Sequence, residues 1–134
     1  MFVYLQDIAN CMDSPSDTVF FDVLRGECVD VGTDNVSELH FLAIPKVNEN
    51  ELAVIYAKQL QWRKIQRDIL QKETDHKFGS YFHRMLIENG LYDDWISFRQ
   101  NMVLSFAKDW CEQNHIPYSS KDRGFGQMYR GKVR

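Results

Sequence analysis

The chain has 134 residues, of which 44% are hydrophobic and 26% are charged, and its net charge at pH 7 is −3. This length suits one domain that buries a core without disulfides, and no apolar run approaches the roughly 20 residues of a membrane-spanning helix. The N-terminus lacks the basic flank of a signal peptide, and the three widely spaced cysteines predict neither a disulfide framework nor a zinc knuckle. These features favour a protein of the reducing cytoplasm.

Charge is distributed unevenly along the chain. Residues 1–51 contain ten acids and two bases, residues 52–120 contain eight acids and nine bases, and residues 121–134 contain one acid and five bases. The acidic segment predicts a surface that attracts a basic partner, and the basic segment predicts one that attracts an acidic partner. Solvated surfaces without any partner explain the same runs.

The first third of the chain predicts one short helix followed by three strands. Apolar residues at helical spacing favour a helix over residues 5–12. Two β-rich runs, residues 18–24 and 27–31, are separated by Arg25 and Gly26, and Gly26 can supply the positive φ of a hairpin turn. A third strand is expected over residues 40–44, where Pro45 stops it.

The remainder predicts three helices. Asn48 is placed to cap a helix that runs to about Gln71 and includes Trp62 among its apolar positions. A second helix ends at Gly90, and a third runs from about residue 94 to residue 114. The fold class is therefore α+β, with a small antiparallel sheet, made of the N-terminal hairpin plus one strand, packed against a three-helix bundle. We expect one domain over residues 1–118 and a basic, flexible tail over residues 119–134.

Two charged residues interrupt the apolar stripe of the last helix. Arg99 and Asp109 fall within the arc of about 120° that is formed by Trp95, Phe98, Met102, Phe106 and Trp110. A charge in an apolar setting needs a partner. Arg99 could reach the edge of the stripe or pair with Asp22 or Asp30, and Asp109 could pair with Lys58, Arg63 or Arg84. Alternatively, one or both side chains reach a groove between helices and sheet.

Residues 81–118 carry a family resemblance. The run G-L-x-x-x-W-x-x-F-R begins at Gly90, and the run A-x-x-W-C-E-x-N-x-I-x-Y begins at Ala107. Both runs resemble the C-terminal half of an uncharacterised bacterial family, number zero-one-five-eight of the UPF series. The opening LQDIANCM and the hairpin turn at Gly26 match that family more loosely. The resemblance implies an α+β fold and a bacterial or phage origin, and it implies no reaction.

Patterns typical of catalysis or metal binding are missing from the sequence. There is no G-x-S-x-G nucleophile elbow, and no cysteine lies within a catalytic motif. His76 and His83 are seven residues apart, but no further ligand completes a metal set at a familiar spacing. We therefore predict neither a cofactor nor a metal, although a catalytic triad assembled from distant residues would leave no such pattern.

The sequence favours a non-enzymatic bacterial or phage interaction protein, such as an immunity, inhibitor or adaptor protein. Its acidic N-terminal region, represented by Asp22, Asp30 and Asp34, would dock a basic protein partner. Two other hypotheses remain. One is an enzyme with a groove around Arg99. The other is a nucleic-acid-binding accessory protein that uses the basic and aromatic side chains of the tail, namely Lys121, Arg123, Phe125, Tyr129, Arg130, Lys132 and Arg134.

Overall fold

A computed structural model describes residues 2–32 and 40–120 of the chain. It contains five helices and five strands in the described part. In chain order they are β1 (Val3–Tyr4), α1 (Leu5–Met12), β2 (Val19–Asp22), β3 (Glu27–Asp30), β4 (Phe41–Ala43), α2 (Glu49–Gln59), α3 (Arg63–Leu70), α4 (Phe78–Glu88), α5 (Tyr92–Gln113) and β5 (Tyr118–Ser119). No helix among these residues is long and apolar enough to cross a bilayer.

The strands form two small sheets. In the first, β2 is the central strand and pairs antiparallel with both β3 and β4, so that Phe21 lies opposite Cys28 on one side and Leu42 on the other. Gly26 has a φ of 70° in the hairpin turn, as the sequence predicted. The second sheet is a parallel pair of β1 and β5, in which Ser119 of the predicted tail lies opposite Tyr4. The α+β class with a small antiparallel sheet is confirmed.

The long helix predicted from Asn48 to Gln71 is two helices. Asn48 caps α2 as expected, because its Oδ1 accepts a hydrogen bond from the Glu51 backbone N–H at 3.1 Å. The chain then becomes extended at Leu60, where φ is −66° and ψ is 136°. The Gln66 side chain satisfies the freed end of α2, since its Nε2 donates to the carbonyl oxygens of Ala57, Lys58 and Leu60.

Both long C-terminal helices end in the same backbone motif. At the end of α4, Gly90 has a φ of 67° and the Leu91 N–H donates to the Leu86 carbonyl at 2.8 Å. At the end of α5, His115 has a φ of 57° and the Ile116 N–H donates to the Cys111 carbonyl at 2.8 Å. These bonds define Schellman motifs, so the expected ends of both helices are confirmed.

The chain forms two compact units. Unit 1 combines the segment that ends at Val47 with the segment that begins at Val103, and unit 2 spans Asn48–Met102. In unit 1, Trp110 joins α5 to the antiparallel sheet, because its Nε1 donates to the Ala43 carbonyl at 3.2 Å and its ring meets Phe21 edge-on. Unit 2 has an aromatic core that consists of Tyr56, Phe78, Phe82, Trp95 and Phe98.

Candidate interaction surface

Asp22 is an interior residue of unit 1 and cannot present its carboxylate to a partner. It lies at the end of β2 and is only 5% exposed. Its Oδ1 accepts hydrogen bonds from the backbone N–H groups of Leu24 at 3.0 Å and Arg25 at 3.2 Å. These two N–H groups belong to the hairpin turn, and without the carboxylate they would lack a hydrogen-bond acceptor. The proposal of Asp22 as a docking residue is therefore corrected, and its role is to hold the turn.

Asp30 is exposed but is also part of a local structure. Its Oδ1 accepts hydrogen bonds from the Thr18 hydroxyl and from the Gly32 N–H, the latter at 3.0 Å. The bond from Thr18, followed by that from Gly32, lowers the pKa of this carboxyl group. The stabilisation is present above the ordinary pKa of an aspartate and is lost as the pH falls through the lowered value. Asp34 lies outside the described residues.

Unit 1 carries more acidic than basic residues. Its described part, residues 2–32, 40–47 and 103–120, contains eight acids and three Lys or Arg residues. Among the described residues before β4, four acids are exposed, and we call them the acidic region: Asp13, Asp17, Glu27 and Asp30. Glu27 forms an ion pair with Arg25 at 2.9 Å, and both side chains are exposed. The acidic character expected of the N-terminal segment is thus a property of exposed side chains.

Asp109 lines a groove of unit 1. The groove has a volume of about 300 Å³ and lies between the end of α1, the segment after β4 and the C-terminal half of α5. Its lining is mostly apolar with three polar side chains, and it consists of Met12, Pro45, Lys46, Val47, Phe106, Asp109, Trp110 and Gln113. A cavity of this size admits one or two side chains of a partner and is at the lower limit for a small ligand.

The buried face of α5 includes Trp95 and Trp110 of the predicted stripe but not Phe106. Val103, Ala107 and Cys111 are buried, whereas Phe106 is 36% exposed and Asp109 is exposed. The buried positions follow a spacing of four residues, which turns Phe106 and Asp109 towards the rim. Asp109 therefore does not need the buried basic partner that was expected for it. Asp109 instead lines the groove between α1, the segment after β4 and α5.

Arg99 does not share this groove and belongs to unit 2. Its Nε donates to Oε1 of Glu49 at 3.0 Å, and its Nη2 contacts Oε2 of the same carboxylate. This bidentate partner is the first residue of α2, whereas the sequence suggested either the edge of the stripe or a hairpin acid, Asp22 or Asp30. Because the Arg99 side chain is 18% exposed and that of Glu49 is 58% exposed, this ion pair is at the surface. It supports a structural role for Arg99.

This geometry gives a prediction for Arg99→Ala. We expect a loss of about 1–2 kcal/mol in the free energy of unfolding, because the pair is partly solvated and the arginine stem also covers apolar surface. Glu49→Gln should cost less than about 1 kcal/mol. Urea denaturation of both variants and the double variant measures the coupling between the two side chains. A coupling energy above about 3 kcal/mol would contradict the surface location of the pair.

Trp62 is a surface residue that the sequence reasoning missed. It lies between α2 and α3 and is 54% exposed, although helical spacing placed it among core positions. Its neighbours Arg63 and Lys64 are also exposed. No glycine or proline marks the break at Leu60. The sequence therefore carries no signal that one helix ends there and a new helix, with its own apolar face, begins after it.

The remaining predicted residues lie outside the part of the chain that the structure describes. These are the tail residues proposed for nucleic-acid binding, namely Lys121, Arg123, Phe125, Tyr129, Arg130, Lys132 and Arg134. Within residues 2–32 and 40–120, no group of three His, Cys, Asp or Glu side chains is placed to hold a metal ion.

Comparison of the chain with protein-family models, with curated proteins and with solved structures finds no match. The resemblance of residues 81–118 to the bacterial family therefore stays a prediction, and the function has to be argued from the geometry of the chain itself.

Proposed function

We propose that this chain is a non-enzymatic interaction protein that docks a basic protein partner on unit 1. The groove beside Asp109 carries the proposal, because it combines an exposed aromatic ring, Phe106, with an exposed carboxylate. An apolar anchor in a pocket is the usual source of affinity at an interface, and surrounding charge sets the partner's sign. An apolar side chain flanked by lysine or arginine is the complement of such a site.

The charge of unit 1 supports the choice of a basic partner. Lys46 also lines the groove, but its Nζ donates to the Ser14 carbonyl oxygen at 2.6 Å and is thereby partly occupied. Asp13 follows Met12 of the lining directly in the chain and is exposed. The acidic region would accelerate association of a basic protein by long-range attraction, and this acceleration would weaken at high salt.

The setting of the proposal is a bacterial or phage cytoplasm, where an immunity, inhibitor or adaptor protein would act. Its supports are the family resemblance of residues 81–118 and the three free thiols of Cys11, Cys28 and Cys111, which suit a reducing compartment. A standard interface of about 800 Å² on each partner would extend well beyond the groove and could include the acidic region.

Affinity capture from a bacterial lysate tests the proposal. The groove variant Phe106→Ala/Asp109→Lys changes one exposed ring and one exposed acid of unit 1. The control Ile87→Ala/Glu73→Lys truncates one exposed apolar side chain and reverses one exposed acid of unit 2. The native chain and the control should retain a protein partner after nuclease treatment, and the groove variant should lose it.

Two outcomes would contradict the proposal. Retention of the partner by the groove variant would place docking elsewhere on the chain. Loss of the captured material on nuclease treatment would instead favour the hypothesis of nucleic-acid binding through the tail.

A further inference from the structure

Cys11 and Cys28 face the same cavity of unit 1. Cys11 lies in the last turn of α1, Cys28 is the second residue of β3, and the helix packs against this strand. Both thiols line a cavity of about 400 Å³, whose wall also includes Asp7 and Glu27. Both cysteines are only partly buried, whereas Cys111 is fully buried. The fold thus brings together two thiols that are 17 positions apart in the sequence and leaves them open to a small molecule.

The two thiols are chemically unequal. The interaction between the two side chains is the largest influence on both groups, and it lowers the pKa of Cys11 while it raises that of Cys28. Lys46 adds to the lowering at Cys11, and burial and Asp7 oppose it. Cys11 therefore ionises more readily than Cys28, and its sulfur is the better nucleophile, because a thiolate and not a thiol attacks disulfides.

We propose that Cys11 and Cys28 form a redox-reactive dithiol. A low-molecular-weight disulfide enters the cavity and oxidises the two thiols, which gives an intramolecular disulfide between α1 and β3. This site is separate from the groove beside Asp109 and does not depend on the proposed function. This pair of cysteines was not identified from the sequence, because the two residues are far apart in it and neither lies in a C-x-x-C pattern.

The reaction takes place in two exchange steps. The Cys11 thiolate attacks one sulfur of the small disulfide, whose S–S bond breaks and releases one small thiolate, leaving a mixed disulfide on Cys11. The Cys28 thiol then gives its proton to the released thiolate and attacks the Cys11 sulfur, which expels the second small thiolate. The two cysteine sulfurs lose two electrons in total, and the small disulfide gains them and becomes one thiol and one thiolate, which takes a proton from water.

The cavity wall selects the charge of the reagent. Asp7 and Glu27 contribute two acidic residues to the wall, and Arg25 forms an ion pair with Glu27. Acidic walls concentrate cations and repel anions within a cleft. The site should therefore prefer a cationic disulfide such as cystamine over an anionic one such as dithiodiglycolate, with about tenfold or greater difference in rate at low salt.

Mass spectrometry of the full chain tests the proposal. The reduced protein is treated with cystamine, neutral hydroxyethyl disulfide or dithiodiglycolate, and the products are digested without reduction. We expect a link between the Cys11 and Cys28 peptides, formed fastest with cystamine, and an unlinked Cys111. Cys28→Ser should stop at the mixed disulfide on Cys11, and Cys11→Ser should react at least tenfold more slowly. The control Cys111→Ala should form the same link as the native chain.

Several results would overturn the proposal. They are a stable mixed disulfide on the native chain without a cross-link, a link that involves Cys111, or equal rates with the cationic and anionic reagents. If a serine variant fails to fold, alkylation of the native chain by iodoacetamide decides instead. Cys11 should be modified first and Cys111 last, because burial, followed by the charge of Glu112, raises the pKa of Cys111 to about 11. The reverse order would refute the assignment of Cys11 as the attacking thiolate.

Discussion

Replacing Trp95 with alanine is expected to lower the free energy of unfolding by about 3–5 kcal/mol. The indole is 7% exposed and meets the rings of Tyr56 and Phe82 edge-on, with ring centroids 5.3 Å and 4.9 Å away. Tyr56 is in turn held by a hydrogen bond from its hydroxyl to the Asp94 carboxylate at 2.7 Å. Truncation would leave a cavity among rings that cannot collapse freely, since several of them pack on one another.

Trp62→Ala is the matched control for this prediction. It removes the same side chain from the same unit, but at a position that is 54% exposed. We expect a change within about 0.5 kcal/mol. Urea denaturation followed by circular dichroism compares the midpoints and slopes of the two variants. Similar losses for both variants would mean that Trp62 is packed and would contradict the break between α2 and α3.

Reversing the charge of Asp22 is expected to cost about 3–5 kcal/mol, because Asp22→Lys buries an ammonium group among turn N–H donors. The side chain is enclosed at the end of β2, and the donors from Leu24 and Arg25 would lose their acceptor. The His40 imidazole, with Nε2 4.0 Å from the carboxylate, would then face a cation. This large effect on stability replaces the effect on partner binding that the sequence suggested for Asp22.

Two further variants separate the reasons for this loss. Asp17→Lys makes the same charge reversal at an exposed position of the acidic region and should change the stability by less than about 0.5 kcal/mol. Asp22→Asn keeps an oxygen acceptor for the turn and should cost about 1 kcal/mol or less. Thermal denaturation of the three variants ranks them by their stability. If Asp22→Lys were as stable as Asp17→Lys, the carboxylate could not be buried in the turn.

Elements defined by local chemistry could be predicted from the sequence. The hairpin follows from two β-rich runs around Gly26, and the end of α4 follows from Gly90, where the backbone has a positive φ. The break at Leu60 could not be predicted, because it depends on the Gln66 side chain that reaches back to three carbonyl groups. The pair of β1 and β5 joins strands of two residues each, which are too short to leave a periodic signal.

The candidate site was predicted only in part, for a similar reason. Asp109 was recognisable as a charge on an apolar stripe, and it does line a groove. Its neighbours in that groove, such as Met12 and Val47, are distant in sequence and become neighbours only through tertiary packing. The burial of Asp22 could not be predicted either. An acid at the end of a strand is expected at the surface unless its hydrogen bonds to the turn are known.

Footprinting of carboxyl groups on the partner complex tests the central claim most directly. The chain, alone and with the partner captured from the lysate, is labelled with a carbodiimide and glycine ethyl ester, and each acid is quantified by mass spectrometry. We predict that labelling of Asp109 falls several-fold in the complex, whereas the exposed acids Glu73 and Asp93 of unit 2 keep their labelling. Unchanged labelling of Asp109 together with protection of Glu73 or Asp93 would contradict docking on unit 1.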